Sequence, residues 1–306
     1  MEDKNPKVSI GLAVYNGEDY LSEAIESILN QTFTDFELII SDNASTDRTA
    51  SICQRYAAQD ARVRYHRNKT NIGGANNENL TMTMARGEYF RLAAHDDKLA
   101  PELLAQCVDV LDNHPEVVLC YTYIHEIDHT GRIMQTSSPQ KGMAAKPYRR
   151  FRELAFRDHF CEATYGLMRT VVLHQTDLQQ NYTDSDRAFL CELALHGPFY
   201  VIPQPLFYKR YHQKNVYVDW RARMAWFNPK WKDTITFPNW LQFFDYLSTI
   251  YQSNISLYAK LRCYLIMVYW LLMNGKAMIK DLLVAASTIL RIPIWSRKSE
   301  ELYNWE

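Results

Sequence analysis

The sequence predicts an α/β fold: a mainly parallel sheet with helices on both faces, followed by a helical C-terminal extension. Three observations predict it. Apolar runs of strand length recur through the first part of the chain, amphipathic helical patterns alternate with them, and polar clusters stand where the runs end. Strands that alternate with helices form parallel sheets, and strands covered on both faces read as unbroken apolar runs.

Residues 8–15 (VSIGLAVY) form the first such run. Leu21, Ala24, Ile25, Ile28 and Leu29 then repeat at helical spacing, the mark of one buried helix face. Residues 36–41 (FELIIS) are a second strand, ended by Asp42, and Thr46 and Asp47 are good cap residues for the next helix. A short third strand is expected over 63–66 and a helix over 77–85. Residues 89–94 (YFRLAA) are a fourth strand that stops at His95, Asp96 and Asp97. Beyond Pro101, the residues Leu103, Leu104, Cys107, Val108 and Leu111 share a helix face, and 117–123 is a fifth strand.

The second half is less regular. Residues 128–131 (DHTG) read as a hairpin turn. A helix spans 184–196 with Phe189, Leu190, Leu193 and Ala194 inward. A strand follows over 199–202, with Pro203 and Pro205 marking its end. After about residue 219 the composition turns aromatic and basic, and 240–247, 261–273 and 279–290 look helical. The chain therefore divides into a sheet-based domain, 1–218, and a helical region, 219–306.

Composition sharpens that division. The 306 residues carry a formal net charge of −1, which gives no reason to expect a nucleic-acid partner. From Phe207 onward there are 14 Lys/Arg against 7 Asp/Glu, leaving 20 against 28 before it. All seven tryptophans (Trp220, Trp226, Trp231, Trp240, Trp270, Trp295 and Trp305) lie in that basic part. The six cysteines form no Cys-x-x-Cys pair and mostly sit in apolar runs, as buried free thiols do. The polar N-terminus has no apolar signal core, and the longest apolar stretch, Tyr264 to Met273, is about half a bilayer span. These features lead us to expect a cytoplasmic chain, with a membrane surface as the one lipid contact the basic, tryptophan-rich region would suit.

The polar clusters carry the chemistry. Adjacent carboxylates such as Asp96 and Asp97 repel each other unless a cation lies near, and a hard divalent ion would also bridge a diphosphate. A helix-capping pair is the plainer alternative. Asp42 and Asn43 open a stretch rich in turn formers, suited either to a ribose or base contact or to capping. Residues 71–75 (NIGGA) form a glycine loop that is not a Walker loop, and residues 11–17 do not match Gly-x-Gly-x-x-Gly. Asp184 and Asp186 open a helix, and a carboxylate there serves as a general base or as a cap. Residues 210–212 (RYH) offer a metal ligand or a phosphate contact, with a satisfied structural His212 as the plainer alternative.

Taken together, these segments resemble the family 2 glycosyltransferases, which have the GT-A fold. The likeness runs from Lys7 to about His212 and rests on four segments in order: residues 8–49, NIGGANNENLTMTMARGEYF, AAHDDKLAPELL and SDRAFLCELALHGPFYVIPQPLFYKRYH. The resemblance implies that Ala13, Tyr15, Asp42, Asn43, Asn71, Asn79 and Asp96 line the nucleotide pocket. It implies that Asp97 and His212 approach a divalent metal, Mn²⁺ or Mg²⁺, and that Asp186 is the catalytic base. There are departures. Ala94 and His95 stand where many relatives carry an acid, Ser185 stands where Glu often precedes the base, and the Gln-x-x-Arg-Trp element of processive synthases is absent. Asp184 is thus a rival base.

The function expected from this likeness is metal-dependent, inverting transfer of a sugar from a nucleotide-diphosphate sugar, first of all a UDP-sugar. The acceptor would be a glycan or lipid-linked glycan in polysaccharide biosynthesis. The alternatives are a nucleotidyltransferase, or a nucleotide-sugar-binding protein without turnover. Residues 15–18 (YNGE) lack the basic loop a nucleotidyltransferase needs after its first strand.

Overall fold

β1 (Val8–Val14) lies at the centre of the parallel part of the sheet, between β2 (Phe36–Asp42) and β4 (Tyr89–Ala93), and β2 pairs in turn with β3 (Val63–Arg67). The computed structural model describes residues 5–156, 161–212, 226–227, 229–231 and 234–290. The four strands are parallel because a helix returns the chain after each of the first three: α1 (Leu21–Leu29), α2 (Thr49–Gln59) and α3 (Gly74–Thr83). The near-complete burial of β1, β2 and β4 explains their apolar runs, whereas the edge strand β3 is partly exposed.

The sheet then turns antiparallel. β8 (Leu167–Arg169) joins β4 to β6 (Leu119–Ile127), and β9 (Phe199–Arg210) lies parallel to β6. The two-residue strand β5 (Lys98–Leu99) closes the far edge against β9, and β7 (Ile133–Ser137) forms a hairpin with β6. The hairpin turn falls where the sequence places it. The Asp128 carboxylate accepts the Thr130 and Arg132 amides, and Gly131 takes φ +89°.

One expectation fails for a local reason. β9 does not stop at the prolines; it continues to Arg210. Its partner residues jump from Ile202 to Pro205 as β6 advances by one, from Thr122 to Tyr123. The prolines occupy that irregularity, where the missing N–H breaks no ladder bond. The extra length matters, because it brings Lys209 to His212 back beside Asp96 and Asp97.

The sheet buries a core on each face. On one side α1, α2 and α4 (Leu103–Asn113) cover Ile10, Leu12, Leu38 and Ile40. On the other, Phe90 and Leu92 meet α5 (Pro147–Ala155), α7 (Ser185–His196), α8 (Pro238–Gln252) and α9 (Leu257–Leu290); a single turn, α6 (Thr170–Leu173), precedes α7. Trp270 of α9 is among the largest buried side chains, and its indole N–H donates to the Ala155 carbonyl at 3.1 Å. The two C-terminal helical stretches expected over 261–273 and 279–290 are one helix, because Gly275 between them is not accompanied by proline or a cap. No described helix is long and apolar enough to cross a membrane. The cysteines are free and all buried except the half-buried Cys161.

α3 packs unusually close to β1. A Cβ on Gly11 would lie 2.2 Å from the Thr81 hydroxyl oxygen, so only glycine fits there. This contact seats the residues of α3 against the carboxyl ends of β1 and β2.

Candidate active site

The carboxyl ends of β1, β2 and β4 lie side by side, since Val14 pairs with Asp42 and Leu12 with Ala93. The loops that follow are tied together. Asn16, at φ +52°, donates its amide to Ser45 and accepts the Thr46 amide on its side chain at 2.8 Å. The Gly17 amide meets the Thr49 hydroxyl. Asp47 accepts the Glu18 and Thr49 amides and so caps the second turn region. Tyr15 projects from this rim, 42% exposed, while Ala13 is half-buried on β1.

Asp42 is fully buried. Its carboxylate accepts the Ser45 amide at 2.8 Å and the Tyr65 hydroxyl at 2.9 Å, with Arg67 Nε 3.6 Å away. Burial and this bond to Asp42 push the Tyr65 phenol well above its usual range. Asn43 is saturated. Its amide group donates to Asn71 Oδ1 and the Gly73 carbonyl, and its oxygen accepts the Ile72 amide and Asn68. Asn43 therefore pins the glycine loop to the end of β2. Asn77, absent from the expected set, extends the network to Ser41 and Asn68. Asn79 points elsewhere: it exchanges two hydrogen bonds with the Gln179 backbone and anchors the loop that leads to α7. Trp226 lies against the start of α3, where a Cβ on Gly74 would come within 2.6 Å of its ring. One of the C-terminal tryptophans thus reaches the glycine loop; Trp220, Trp295 and Trp305 lie outside the described residues.

Asp96 and Asp97 follow β4 and face the returning end of β9. Asp97 is 8% exposed, and its Oδ1 accepts the Arg210 amide at 2.8 Å. Asp96 Oδ2 lies 3.0 Å from His212 Nε2. Burial, then the charge of Asp96, pushes the Asp97 carboxyl up to about 8. Burial would raise Asp96 as well, but His95 and the His212 contact hold it low. The guanidinium of Arg210 is structural: it donates to the Asp96 carbonyl and to Glu23, and stacks over Tyr20 at 4.5 Å. Beneath the pair, Arg91 of β4 is 1% exposed with Nε and Nη2 unpartnered, and its guanidinium lies 5.4 Å from the Phe207 ring centroid. Burial lowers Arg91 to about 10, against the pull of Cys107 and Asp97.

Asp186 sits in the first turn of α7, where its Oδ1 accepts the Arg187 amide at 2.9 Å. Asp184 precedes it at φ +68°, and its carbonyl accepts from Gln242 of α8 at 3.1 Å. Two further residues enter here. Glu78 is the one charged side chain of α3, and burial followed by the charge of Asp186 raises it to about 8. Tyr165 is raised well above the usual tyrosine range by burial and by the charges of Glu78, Asp97, Asp96 and Asp186. The acids after β4, the acid of α3 and the acid that opens α7 therefore bear on a single phenol.

These groups can hold a hard cation only in part. Among the described residues, no set of three or more His, Cys, Asp and Glu side chains is grouped for a metal. Asp96 and Asp97 supply two adjacent carboxylates, and a cation between them would offset their mutual repulsion. His212 would have to leave Asp96 to join them. The donor chemistry fits Mg²⁺ or Mn²⁺ with the remaining ligands from a diphosphate.

A parallel sheet with polar loops gathered at its carboxyl edge has the layout of the α/β proteins that bind ligands at that edge. The sequence model of glycosyl transferase family 2 matches residues 9–176, more than half of the chain, which belongs to that family. An uncharacterized glycosyltransferase of Methanocaldococcus jannaschii is 31% identical over 174 residues, 56% of this chain; the match spans 59% of that relative's length. TarS of S. aureus, solved with UDP-GlcNAc, superposes with a TM-score of 0.62 at 19% identity over 83% of this chain and 69% of its own. The mannosyltransferase PcManGT of Pyrobaculum calidifontis, solved with GDP-Man and Mn²⁺, gives 0.53 at 16% identity over 95% and 89%. The fold is that of the GT-A enzymes.

Proposed function

We propose that the chain moves a sugar from a nucleotide-diphosphate sugar to an acceptor hydroxyl, with inversion, and that Asp186 is the base. The observation that carries this reading is the convergence of Asp96, Asp97, Glu78 and Asp186 on Tyr165. On this reading Asp96 and Asp97 would serve the diphosphate and cation, and Asp186 would accept the proton close by. The donor's base and ribose would lie over Tyr15, Ala13 and the Asp42–Asn43 turn, with the loop at Asn71 alongside and Asn79 holding the floor through Gln179. The two relatives named above with bound UDP-GlcNAc and GDP-Man support a nucleotide-sugar donor.

Asp97 and Asp96, with His212 beside them, would hold the divalent ion, which supplies neutralisation of charge on the leaving diphosphate. Asp186 accepts the acceptor's hydroxyl proton as that oxygen bonds to the anomeric carbon. The bond from that carbon to the diphosphate oxygen breaks, and the nucleoside diphosphate departs. The acceptor would be a glycan or lipid-linked glycan bound toward α7 and α8.

The test is release of nucleoside diphosphate from a panel of UDP-, dTDP- and GDP-sugars with Mn²⁺ and candidate acceptors. Asp186→Asn should keep nucleotide binding and lose about 10²–10⁴-fold in turnover. Asp97→Asn should weaken nucleotide binding only when Mn²⁺ is present. An Asp186→Asn enzyme with normal turnover would remove Asp186 from the mechanism and leave Asp184 as the base to test.

A further inference from the structure

We propose that the outer face of α8 and α9 is a docking surface for an anionic lipid membrane, on which the chain lies without crossing it. α9 buries one face, through Ala259, Cys263, Met267, Trp270, Met278 and Ala285, against the body of the protein. Its opposite face is also apolar. Leu261, Leu265, Val268, Leu272, Ile279 and Leu283 fall on one stripe, each between 52% and 76% exposed. α8 adds Phe244 and Leu241 from its own outer side. A helix that is apolar on both sides is covered on both sides in its working state. The stripe is about 33 Å long at a rise of about 1.5 Å per residue, yet no described helix is long and apolar enough to span a bilayer. Its covering is therefore met along its length.

Charge decides what covers it. Residues 234–290 hold four cations, Lys260, Arg262, Lys276 and Lys280, and two acids, Asp245 and Asp281. Arg262, Lys276 and Lys280 are exposed. Both acids are turned inward: Asp281 accepts the Asn239 amide and side chain at 3.0 Å each, and Asp245 accepts the Tyr182 hydroxyl. The surface is apolar and cationic, with no exposed acid on either helix. A second copy facing it through the same two helices would bring like charges together, with no exposed acid on either described helix to meet them. Anionic head groups meet these cations while acyl chains receive the leucines.

The inward face of the same helix reaches the base. Gln242 donates to the Asp184 carbonyl and Asp245 receives Tyr182, so α8 fixes the loop that leads into Asp186. A chain docked through α8 and α9 would hold that loop at a set height above the bilayer. This last consequence rests on the sugar-transfer reading; the docking does not.

The experiment is flotation of the full chain with vesicles of phosphatidylcholine alone or mixed with phosphatidylglycerol. The wild type should float with the mixed vesicles and far less with phosphatidylcholine. Leu265→Glu with Leu272→Glu should stay at the bottom while keeping the wild-type melting temperature and nucleotide affinity, since neither side chain packs into the core. If that variant unfolds, Arg262→Gln with Lys280→Gln should still cut binding to the mixed vesicles by about tenfold. A wild type that stays at the bottom with mixed vesicles overturns the proposal. So does an elution volume showing a dimer that the leucine variant splits, which would assign the face to a second copy.

Discussion

Glu192 lies in the middle of α7, 8% exposed, with both carboxyl oxygens near the Asp177 amide at 3.1 and 3.2 Å. Burial outweighs that amide and raises the group from 4.5 to about 8. A carboxyl whose folded pKa exceeds its unfolded value contributes stability below the unfolded pKa and loses it as pH rises through the folded one. The melting temperature should therefore fall as pH rises from about 4.5 to about 8, and Glu192→Gln should flatten part of that fall; an unchanged profile in the variant would exclude Glu192 as a source. Asn43 tests the polar network in the same way. Asn43→Ala leaves the part-buried Ile72 amide without its acceptor, at a cost of about 1–2 kcal/mol in urea unfolding, and should loosen nucleotide binding by freeing the glycine loop.

At the scale of elements, the decisive contact is α3 on β1. Gly11→Ala would place a methyl 2.2 Å from Thr81 Oγ1 and 2.7 Å from the Phe90 ring. The helix must then back away, costing about 1–3 kcal/mol or more, and it takes Asn77 and Glu78 with it. Unfolding and nucleotide titration should both register the change; a variant with unaltered nucleotide affinity would show that α3 does not set the pocket. Most elements were legible in the sequence. The apolar runs and the faces of α1, α4 and α7 stand where periodicity puts them, because burial of a face is written every two residues in a strand and every three to four in a helix. β9 was legible only to its prolines, and β5 not at all, since two residues carry no pattern. The unity of α9 was missed because a helix apolar on both faces has little amphipathic signal to join its halves.

For the whole molecule, the second core runs across the boundary near residue 218. Tyr246, Ile250, Met267 and Trp270 pack in the same cluster as Phe90, Phe151 and Phe189. Calorimetry should accordingly show one unfolding transition. Trp270→Ala should lower it as a unit, by about 3–5 kcal/mol. Two separate transitions would show that the C-terminal helices fold on their own.

The sequence by itself determined the succession of strands and helices in the parallel half, the helix faces, and the placing of Asp42, Asp96 and Asp97 at strand ends. All of these depend on neighbours close along the chain. It also placed the family, through segments in fixed order. Only the tertiary structure decided which polar groups meet. Asn43 and Asn71 bond to each other, Asn79 turns to Gln179, Arg210 braces the Asp96–Asp97 loop from the end of β9, and Glu78 comes to share its surroundings with Asp186. A lone Arg in an apolar strand and a lone Glu in α3 were visible signals at Arg91 and Glu78; Tyr165 had none. Such pairings arise where the sheet order brings distant segments to one edge, and a carboxylate's charge acts through space rather than along the chain.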